Sequence, residues 1–364
     1  MAEHLYKQIY NDLLQKIESG EYSKNDKLPT EHELMTLYGV SRVTAMTALN
    51  LLRDNGYILR MPKVGSVVRE TPRRGPRGNI QFVTISASNS IPGLYEAICA
   101  EAARYGLNAV MYDTHHSIDA ERECLRSILS RKVAGVICYP INGEFGNISA
   151  LRQLKNAGVP LVTVDKRVWL PDDSIPCVTT DNRRSMYELT SWLIEKKGHR
   201  RIAYCCALFN QANARYRFKG YVEALIEHGI DYDPALTDEI ESPVMPYRPA
   251  NAEYANYLNY LTELPDPPTA LVCECDYVAI SVMKYAKELG ISVPEQLSVV
   301  GFDNIDMCGM LDVPLTTMEQ NFTDIGRTAV DRLMAMISGD PVEPLTVFPA
   351  KLIERASVRT LEST

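Results

Sequence analysis

The sequence predicts an α/β protein in two parts, a small N-terminal helical unit and a larger C-terminal region of parallel sheets wrapped in helices. Two patterns carry this prediction. Residues 29–57 have the outline of a helix, a glycine turn and a second helix. From Ile80 onward, short apolar runs alternate with amphipathic stretches, which is typical of strands buried on both faces and separated by helices. The chain has 364 residues, more than one core usually supports, so two or three units are expected.

The first helix of the N-terminal pair has a clear start and a clear end. Thr30 can cap it through its hydroxyl, while Glu33, three residues later, can reach back to the Thr30 N–H. The helix is therefore predicted to begin at the residue after Thr30. Gly39 ends it, because the position after a helix often needs a positive φ, and Ser41 caps a second helix that runs to about Asn55.

The second helix has two distinct faces. Its apolar residues recur at helical spacing and are predicted to face a core: Ala45, Ala48, Leu49 and Leu52. The remaining positions are predicted to form the outer surface: Arg42, Thr44, Met46, Thr47 and Asn50.

The segments around this pair complete a known arrangement. An apolar stripe of Leu5, Ile9, Leu13 and Ile17 predicts an earlier amphipathic helix. Two β-prone runs around residues 62–65 predict a hairpin. A helix, a helix-turn-helix and a hairpin make a winged helix, so double-stranded DNA is the expected partner. The hairpin, or wing, carries Arg60, Lys63 and Arg69, which could lie over phosphates or a minor groove.

The charge distribution agrees with a DNA-binding head. The net charge is −8, which alone argues against nucleic acid, but residues 1–78 hold 12 Lys and Arg against 9 Asp and Glu. The acidic excess thus lies in the remaining chain, and the basic excess lies with the motif. Residues 71–78, rich in proline, glycine and arginine, are predicted to be a linker.

The apolar runs of the C-terminal region locate a candidate ligand site. They are IQFVTIS, NAVMYD, VAGVICYP, VPLVTVD, RRIAYCC, TALVCE and LSVVGFD. In parallel sheets, ligands bind beyond the carboxyl ends of the strands. The residues that follow the runs are therefore candidates: Ser86 to Asn89, Asp113, Asp165 to Arg167, Cys275, Asp276, Asp303 and Asn304.

These side chains suit a polyhydroxylated ligand. Asp and Asn accept hydrogen bonds from hydroxyls, and Arg217, at the start of a predicted helix, can donate to ligand oxygens. Tyr95, Trp169 or Tyr247 could provide a flat wall for a sugar face. The alternative is that strand-end aspartates cap the following helices. Asp276 is the clearest candidate for a cap, whereas Asp303 is the better ligand candidate because no good helix follows it directly.

Other classes of function find little support. The chain has no GxSxG, no Walker loop and no GxGxxG after a strand, and its nine cysteines lack zinc-site spacing, so we expect no enzyme, cofactor or metal. The cysteines lie mostly in apolar runs, as reduced thiols do. The N-terminus does not read as a signal peptide and no stretch approaches the ~20 apolar residues of a membrane span. We expect a cytoplasmic, soluble protein.

Residues 1–70 resemble the winged-helix domain of the GntR (gluconate repressor) family. LPTEHELMTLYGVSRVTAMTALNLLRDNGYI follows that family's pattern. The resemblance implies DNA contacts from Arg42, Thr44, Gly65 and Ser66. Three positions depart from it: Met46 replaces a base-reading Arg, His32 replaces a phosphate-contacting Arg, and Lys63 replaces a wing glycine. A thioether at 46 could touch a thymine methyl, so a less usual operator is expected. The full expected DNA-contacting set is Thr30, His32, Ser41, Arg42, Thr44, Met46, Thr47, Lys63, Gly65 and Ser66.

Residues 79–360 resemble the effector domain of the LacI/GalR (lactose and galactose repressor) family, which is related to periplasmic sugar-binding proteins. Seven blocks follow its pattern in order, among them RYRFKGYVEAL and ELGISVPEQLSVVGFDN. The resemblance implies two lobes with a small molecule between them. Cys275 and Cys138 replace polar residues seen in members of that family. The full expected effector-binding set is Ser86, Asn89, Tyr95, Asp165, Lys166, Arg217, Tyr247, Cys275, Asp276, Asp303 and Gln320.

The combined layout resembles arabinose-repressor (AraR) regulators. It implies a winged-helix domain at 1–70, a linker at 71–78 and a two-lobed effector and dimerisation domain at 79–364. The expected function is a homodimeric repressor that reads a near-palindromic operator and responds to a mono- or oligosaccharide. Two alternatives remain open: the same regulator with a purine or nucleoside effector, or a sugar-binding transport component.

Overall fold

The computed structural model describes residues 2–18, 21–54, 57–61, 64–69, 78–86, 92–141, 146–168, 175–207, 211–239 and 252–361. The chain divides into two compact units, Met1–Gly75 and Pro76–Thr364. None of the described helices is long and apolar enough to cross a membrane.

The first unit is a winged helix. Its elements are α1 Ala2–Glu18, α2 Glu31–Tyr38, α3 Arg42–Asp54, β1 Ile58–Met61 and β2 Gly65–Val68. The predicted helix start is confirmed, since Thr30 and Glu33 form the reciprocal capping box. Gly39 is confirmed as the terminator, with φ of 63°. The two strands pair antiparallel, as the hairpin prediction requires.

The predicted inner face of α3 is confirmed. Ala45, Ala48, Leu49 and Leu52 are at most 1% exposed. They pack with Ile9, Leu13 and Ile17 of α1 into one apolar cluster. Leu5, which we expected in the same stripe, is 39% exposed instead, because it lies near the free end of α1, beyond the packed part of the cluster.

The second unit contains the remaining elements in alternation. They are β3 Asn79–Thr84, α4 Pro92–Arg104, β4 Asn108–Asp113, α5 Ile118–Ile128, β5 Val133–Cys138, α6 Ile148–Asn156, β6 Leu161–Val164, β7 Cys177–Thr180, α7 Asn182–Glu195, β8 Ile202–Cys206, α8 Ala212–Glu227, β9 Thr237–Glu239, α9 Ala252–Glu263, β10 Ala270–Cys273, α10 Asp276–Glu288, β11 Ser298–Asp303, β12 Thr316–Glu319, α11 Phe322–Ser338, β13 Leu345–Phe348 and β14 Lys351–Ile353. Short 3₁₀ helices occur at Pro234–Leu236 and Asp306–Gly309.

The strands form two six-stranded sheets, one in each lobe. The order in the first lobe is β13-β7-β6-β5-β3-β4, and in the second lobe β14-β12-β11-β10-β8-β9. All neighbours are parallel except β12 and β14. The predicted two lobes of helix-wrapped parallel sheets are therefore confirmed, and each of the seven predicted runs contains a strand.

Helices cover both faces of each sheet. In the first lobe, α4 and α11 pack on one face, and α5 and α6 on the other. In the second lobe, α9 and α10 pack on one face, and α7 and α8 on the other. Side chains from successive positions of β5 alternate between the two cores, as strand geometry dictates: Ile137 packs with α4, and Cys138 with α5.

Three connections pass between the lobes, from β7 to α7, from β12 to α11 and from β13 to β14. They are cross-tied by hydrogen bonds. The Asp181 N–H donates to the Phe348 carbonyl at 2.8 Å, and the Thr180 hydroxyl donates to Gln320 Oε1. These connections bring the carboxyl ends of the two sheets to a common cleft.

Candidate DNA-binding surface and effector cleft

The N-terminal half of α3 presents polar and apolar groups to the outside of the winged helix. The Arg42 side chain is 76% exposed, and Met46 is 37% exposed. Thr44 and Thr47 are half-buried, and the Thr47 hydroxyl donates to the Val43 carbonyl at 2.8 Å. In helix-turn-helix proteins this half of the second helix meets base edges. Met46 lies on the exposed side of this half, as the helical spacing predicted.

Several other expected DNA contacts also serve the fold. Ser41 Oγ accepts the Thr44 N–H at 3.3 Å, which caps α3. The Thr30 N–H and hydroxyl both donate to Glu33 Oε2. His32, between them on α2, is exposed. The cap side chains of Thr30 and Ser41 are thus held by local hydrogen bonds, whereas His32 is exposed.

The wing differs from expectation at one residue. Gly65 is exposed, with φ of 104°, a conformation that favours glycine. Ser66, expected at DNA, is instead only 6% exposed. Alternation along β2 turns Ser66 and Val68 to the inner face of the hairpin. Lys63 lies outside the described residues.

In the second unit, Arg217 lies at the centre of a buried polar cluster. It is 3% exposed. Its Nε donates to Asn182 Oδ1 at 2.7 Å, Nη1 to the Glu274 carbonyl at 2.8 Å, and Nη2 lies 3.3 Å from Asp303 Oδ1. Its guanidinium carbon stacks 3.8 Å from the centre of the Phe302 ring. The side chain is therefore fixed on three edges and one face.

Asp303 joins this cluster to the connections between the lobes. Its Oδ1 also accepts from Gln320 Nε2 at 2.6 Å. Burial raises the pKa of the Asp303 carboxyl, and the neighbouring Arg217 opposes that rise. Asp303 has φ of 123° and the following Asn304 has φ of 56°, which are conformations that non-glycine residues rarely adopt. Such strain is concentrated at binding sites, where the surrounding structure holds it.

Asp165, which follows β6 in the first lobe, resembles Asp303 in its positive φ and its burial. Its φ is 62° and it is 2% exposed. Oδ2 accepts weakly from Asn213 of α8 in the second lobe, at 3.4 Å. Oδ1 is buried and has no hydrogen-bond partner among the described residues. A buried carboxylate oxygen without a donor is costly, so a ligand hydroxyl that donates to it would be favoured.

A second polar group, around Lys166, continues the cleft into the first lobe. Burial lowers the pKa of Lys166 to about 8, against the opposing pull of Asp165 and then of Glu121 and Glu274. Its Nζ donates to the Ile141 carbonyl at 3.1 Å and lies 5.2 Å from the centre of the Tyr139 ring. Lys166 thus supplies a second buried cation to the cleft.

Two expected effector contacts have other roles in the structure. Asp276 is fully buried, and its two oxygens accept from the Thr317 hydroxyl and from the Ile305 N–H. Its side chain is neither turned to the cleft nor used as a helix cap, because it joins β12 to the segment after β11. Tyr95 packs on Phe82, with ring centres 5.9 Å apart, and donates to a backbone carbonyl of β4. It belongs to the core of the first lobe.

The remaining predicted effector residues lie at or near strand ends, or outside the described residues. Ser86 is buried two residues after the end of β3. Cys275 is 9% exposed and packs in the apolar cluster under α10. Asp113 accepts from the His115 N–H within its own turn. Asn89, Trp169 and Tyr247 lie outside the described residues.

The buried polar groups around Arg217, Asp165 and Lys166 include five side chains that were not predicted from the sequence. They are Glu121, Asn147, Asn182, Asn213 and Glu274. The Cys206 thiol lies 2.7 Å from Glu274 Oε2, and burial raises the pKa of Glu274. Glu274 is the last residue of the predicted run TALVCE and directly follows β10, so the strand-end rule could have found it. Glu121 and Asn213 lie within helical stretches, where no local signal marks them.

The architecture defines a class of protein. A winged helix with an exposed recognition helix is joined to two lobes whose strand ends share a cleft of buried charges. This layout is that of a transcription regulator in which a DNA-binding domain is joined to a ligand-binding effector domain.

Comparisons with known proteins assign both parts. Residues 5–68 match the model of the bacterial regulatory proteins, gntR family, and residues 193–358 match the periplasmic binding protein-like domain. The chain therefore combines a gntR-family helix-turn-helix domain with a periplasmic binding protein-like domain. It is 27% identical to the arabinose metabolism transcriptional repressor of Geobacillus stearothermophilus over 365 residues, which covers 98% of both chains.

Other relatives and solved structures match most of the chain. The transcriptional repressor CytR of Escherichia coli K12 is 28% identical over 335 residues, 90% of this chain and 91% of the relative. Among solved structures, the Escherichia coli repressor ascG superposes with a TM-score of 0.61 at 25% identity, over 77% of this chain and 99% of that one. The regulator CcpA of Lactococcus lactis gives 0.67 at 23% identity, over 78% and 100%, and so supports the fold alone.

Proposed function

We propose that this repressor leaves its operator when a small sugar binds between the two lobes. The observation that carries the proposal is Asp165 Oδ1, which is buried beside the cluster of Arg217 and Asp303 and has no hydrogen-bond partner among the described residues. Carboxylates and a guanidinium at opposite sides of one cleft match a ligand that both donates and accepts hydrogen bonds. A polyol does both through every hydroxyl.

Arabinose is the first ligand to test, because the relative that matches 98% of this chain is named for arabinose metabolism. We propose that Asp165, Lys166, Arg217, Asp303 and Gln320 form the core of the effector site. Ser86 and Cys275 are at its margin. Nucleosides and purines are the second class of effector, and they enter the same experiment as competitors.

We further propose that the protein acts in the cytoplasm as a homodimer on a near-palindromic operator. A DNA duplex with two half-sites presents them in matching orientations to two copies of a recognition helix. Arg42, Thr44, Met46 and Thr47 would reach base edges. Residues 71–78 would connect the winged-helix domain at 1–70 to the effector domain at 79–364.

The test is a gel shift on the DNA upstream of the protein's own gene, run with a panel of pentoses, hexoses, nucleosides and purines. The proposal predicts that one sugar lowers DNA affinity and raises the melting temperature of the free protein by mass action. A shift with a nucleoside alone would replace the sugar by the second class of effector. DNA affinity that stays constant across the panel, without any thermal shift, would refute the proposed regulation.

The variant Asp165→Asn tests whether the sugar binds in the cleft. The substitution turns an acceptor oxygen into an amide donor, so we expect sugar affinity to fall about 10- to 100-fold while DNA affinity without sugar is retained. Asp312→Asn is the matched control, because Asp312 is 84% exposed and pairs only with Lys287 among the described residues. Equal sugar affinity in both variants would remove Asp165 from the site.

A further inference from the structure

The carboxylate of Glu31 lies between two arginines of the winged helix. Its Oε2 accepts a hydrogen bond from Arg42 Nε at 3.0 Å, and its Oε1 accepts one from Arg60 Nη2. Glu31 is the first residue of α2, Arg42 is the first residue of α3, and Arg60 lies in β1 of the wing. One carboxylate therefore connects the two helices of the motif to the wing.

Arg60 acts as a strut in this arrangement. Its second terminal nitrogen, Nη1, donates to Asn50 Oδ1 of α3 at 2.9 Å, and its side chain is only 29% exposed. Both ends of the guanidinium are thus engaged within the unit. The wing is tied to α2 through Glu31 and to α3 through Asn50, so the phosphate contact that the sequence suggested for Arg60 is replaced by an internal one.

Arg42 is held in a different way. It meets Glu31 through Nε and its side chain remains 76% exposed, so its terminal nitrogens extend beyond the contact with Glu31. Two N–H groups of an arginine are what a guanine O6 and N7 pair requires. A free arginine side chain must lose rotamer freedom to make that contact. An arginine already fixed by Glu31 loses less.

The negative charge of Glu31 would weaken DNA binding if electrostatic repulsion were the only effect. Hydrogen bonds from Arg60 and then from Arg42 lower the pKa of Glu31, so the side chain carries its negative charge at neutral pH. A negative charge on a DNA-facing surface repels phosphates. Removing it should strengthen binding to any duplex if charge alone decides the outcome.

We propose that Glu31 is a positioning residue that sets operator specificity by fixing Arg42 and the wing strut Arg60 relative to each other. The inference rests on the proposed contact between Arg42 and a base, and it adds a residue that does not itself touch DNA. It makes an unusual prediction. Loss of the negative charge weakens specific binding and leaves binding to other DNA unchanged or stronger.

The experiment uses the full-length chain and an operator selected from random duplexes with the wild-type protein. Affinity for the selected operator and for a scrambled duplex of equal length is measured for the wild type and Glu31→Gln. Glu21→Gln is the matched control, because it makes the same charge change in the same unit at a 58% exposed carboxylate that pairs with Lys16 at 3.7 Å. The readout is the ratio of the two affinities, which partial unfolding does not change, since inactive protein lowers both affinities equally.

We expect Glu31→Gln to lower this ratio about tenfold and Glu21→Gln to leave it unchanged. In an Arg42→Ala background, Glu31→Gln should lower the ratio far less, because Glu31 no longer has Arg42 to hold in position relative to Arg60. An equal ratio in Glu31→Gln and Glu21→Gln would overturn the inference. A full effect that persists without Arg42 would also overturn it. A wild-type chain that enriches no sequence at all would overturn the regulator assignment itself, and this inference with it.

Discussion

Replacing Arg217 by lysine tests whether the cleft needs the planar guanidinium or only its charge. Arg217 serves three acceptors, Asn182 Oδ1, the Glu274 carbonyl and Asp303 Oδ1. A lysine ammonium at the same depth can follow the charge of Asp303 but cannot span all three. Two buried acceptors then lose their donor, at about 1–3 kcal/mol each. We expect Arg217→Lys to reduce the free energy of unfolding by about 2–6 kcal/mol.

The assay is thermal unfolding of the full-length protein, in which this loss corresponds to at least about 4 °C for the effector domain. The control is Arg183→Lys, whose 58% exposed side chain pairs with Glu223 on the surface and should cost less than about 1 kcal/mol. Binding to DNA should survive in both variants, because the winged helix is a separate compact unit. A melting temperature of Arg217→Lys equal to that of Arg183→Lys would refute the reasoning, since it would mean that the three hydrogen bonds contribute nothing net.

Two further predictions concern the fold. An added Cβ at Gly220 would lie 2.1 Å from the Arg183 carbonyl oxygen, so Gly220→Ala should force α7 and α8 apart and cost about 3 kcal/mol in denaturant unfolding. An added Cβ at Gly93 meets no described atom within 4 Å outside its chain neighbours and its own helix backbone, so Gly93→Ala should change stability by less than about 0.5 kcal/mol. Burial lowers the pKa of His199 to about 4 from an ordinary 6.5. The folded state therefore resists protonation, and its stability, complete above pH 6.5, should fall by up to about 3 kcal/mol as the pH drops to 4. His199→Gln should flatten that pH profile, and an unchanged slope would contradict the assignment.

The winged helix was predictable almost residue by residue because its signals are local. The capping box of Thr30 and Glu33 spans three residues, and Gly39 marks the helix end through its own backbone conformation. The apolar residues of α3 recur at helical spacing, and this pattern can be recognised without knowing what they pack against. The burial of Ser66 was not predicted, although strand alternation around a buried Val68 would have placed its side chain on the inner face of the hairpin.

The effector domain was predictable in class but less so in detail. Strands with long apolar runs were found, whereas five described strands of this unit were missed, namely β7, β9, β12, β13 and β14. Threonine carries much of the length of β7 (CVTT) and β12 (TTME). The burial of these two strands comes from the neighbouring strands and helices, which no short window of sequence reports. The chain crosses between the lobes after β7, β12 and β13, so all three crossing points follow strands that the sequence did not predict.

Asp276 shows the same limit at a single residue. It follows a strand, as Asp165 and Asp303 do, and the strand-end rule treats all three alike. The difference is nonlocal. An added Cβ at Gly301 of β11 would lie 2.2 Å from Asp276 Oδ1, so the missing side chain of Gly301 leaves room for this carboxylate, which there accepts from the Thr317 hydroxyl. Asp165 Oδ1, in contrast, has no hydrogen-bond partner among the described residues.

The hydrogen bonds around Gln320 suggest how ligand binding would reach the rest of the molecule. Gln320 accepts from Thr180 on one crossing connection and donates to Asp303 in the cleft, while it lies itself on a second connection. In the proposed mechanism a sugar that bonds to Asp303 competes for, or reorients, the partner of Gln320. Because the Gln320 side chain also accepts from the Thr180 hydroxyl, the change would reach the connections that follow β7 and β12. A ligand shifts a conformational equilibrium only through contacts that differ between the two states. In this proposal Gln320 would provide such a contact, because its side chain bonds both to Asp303 in the cleft and to Thr180 at the end of β7.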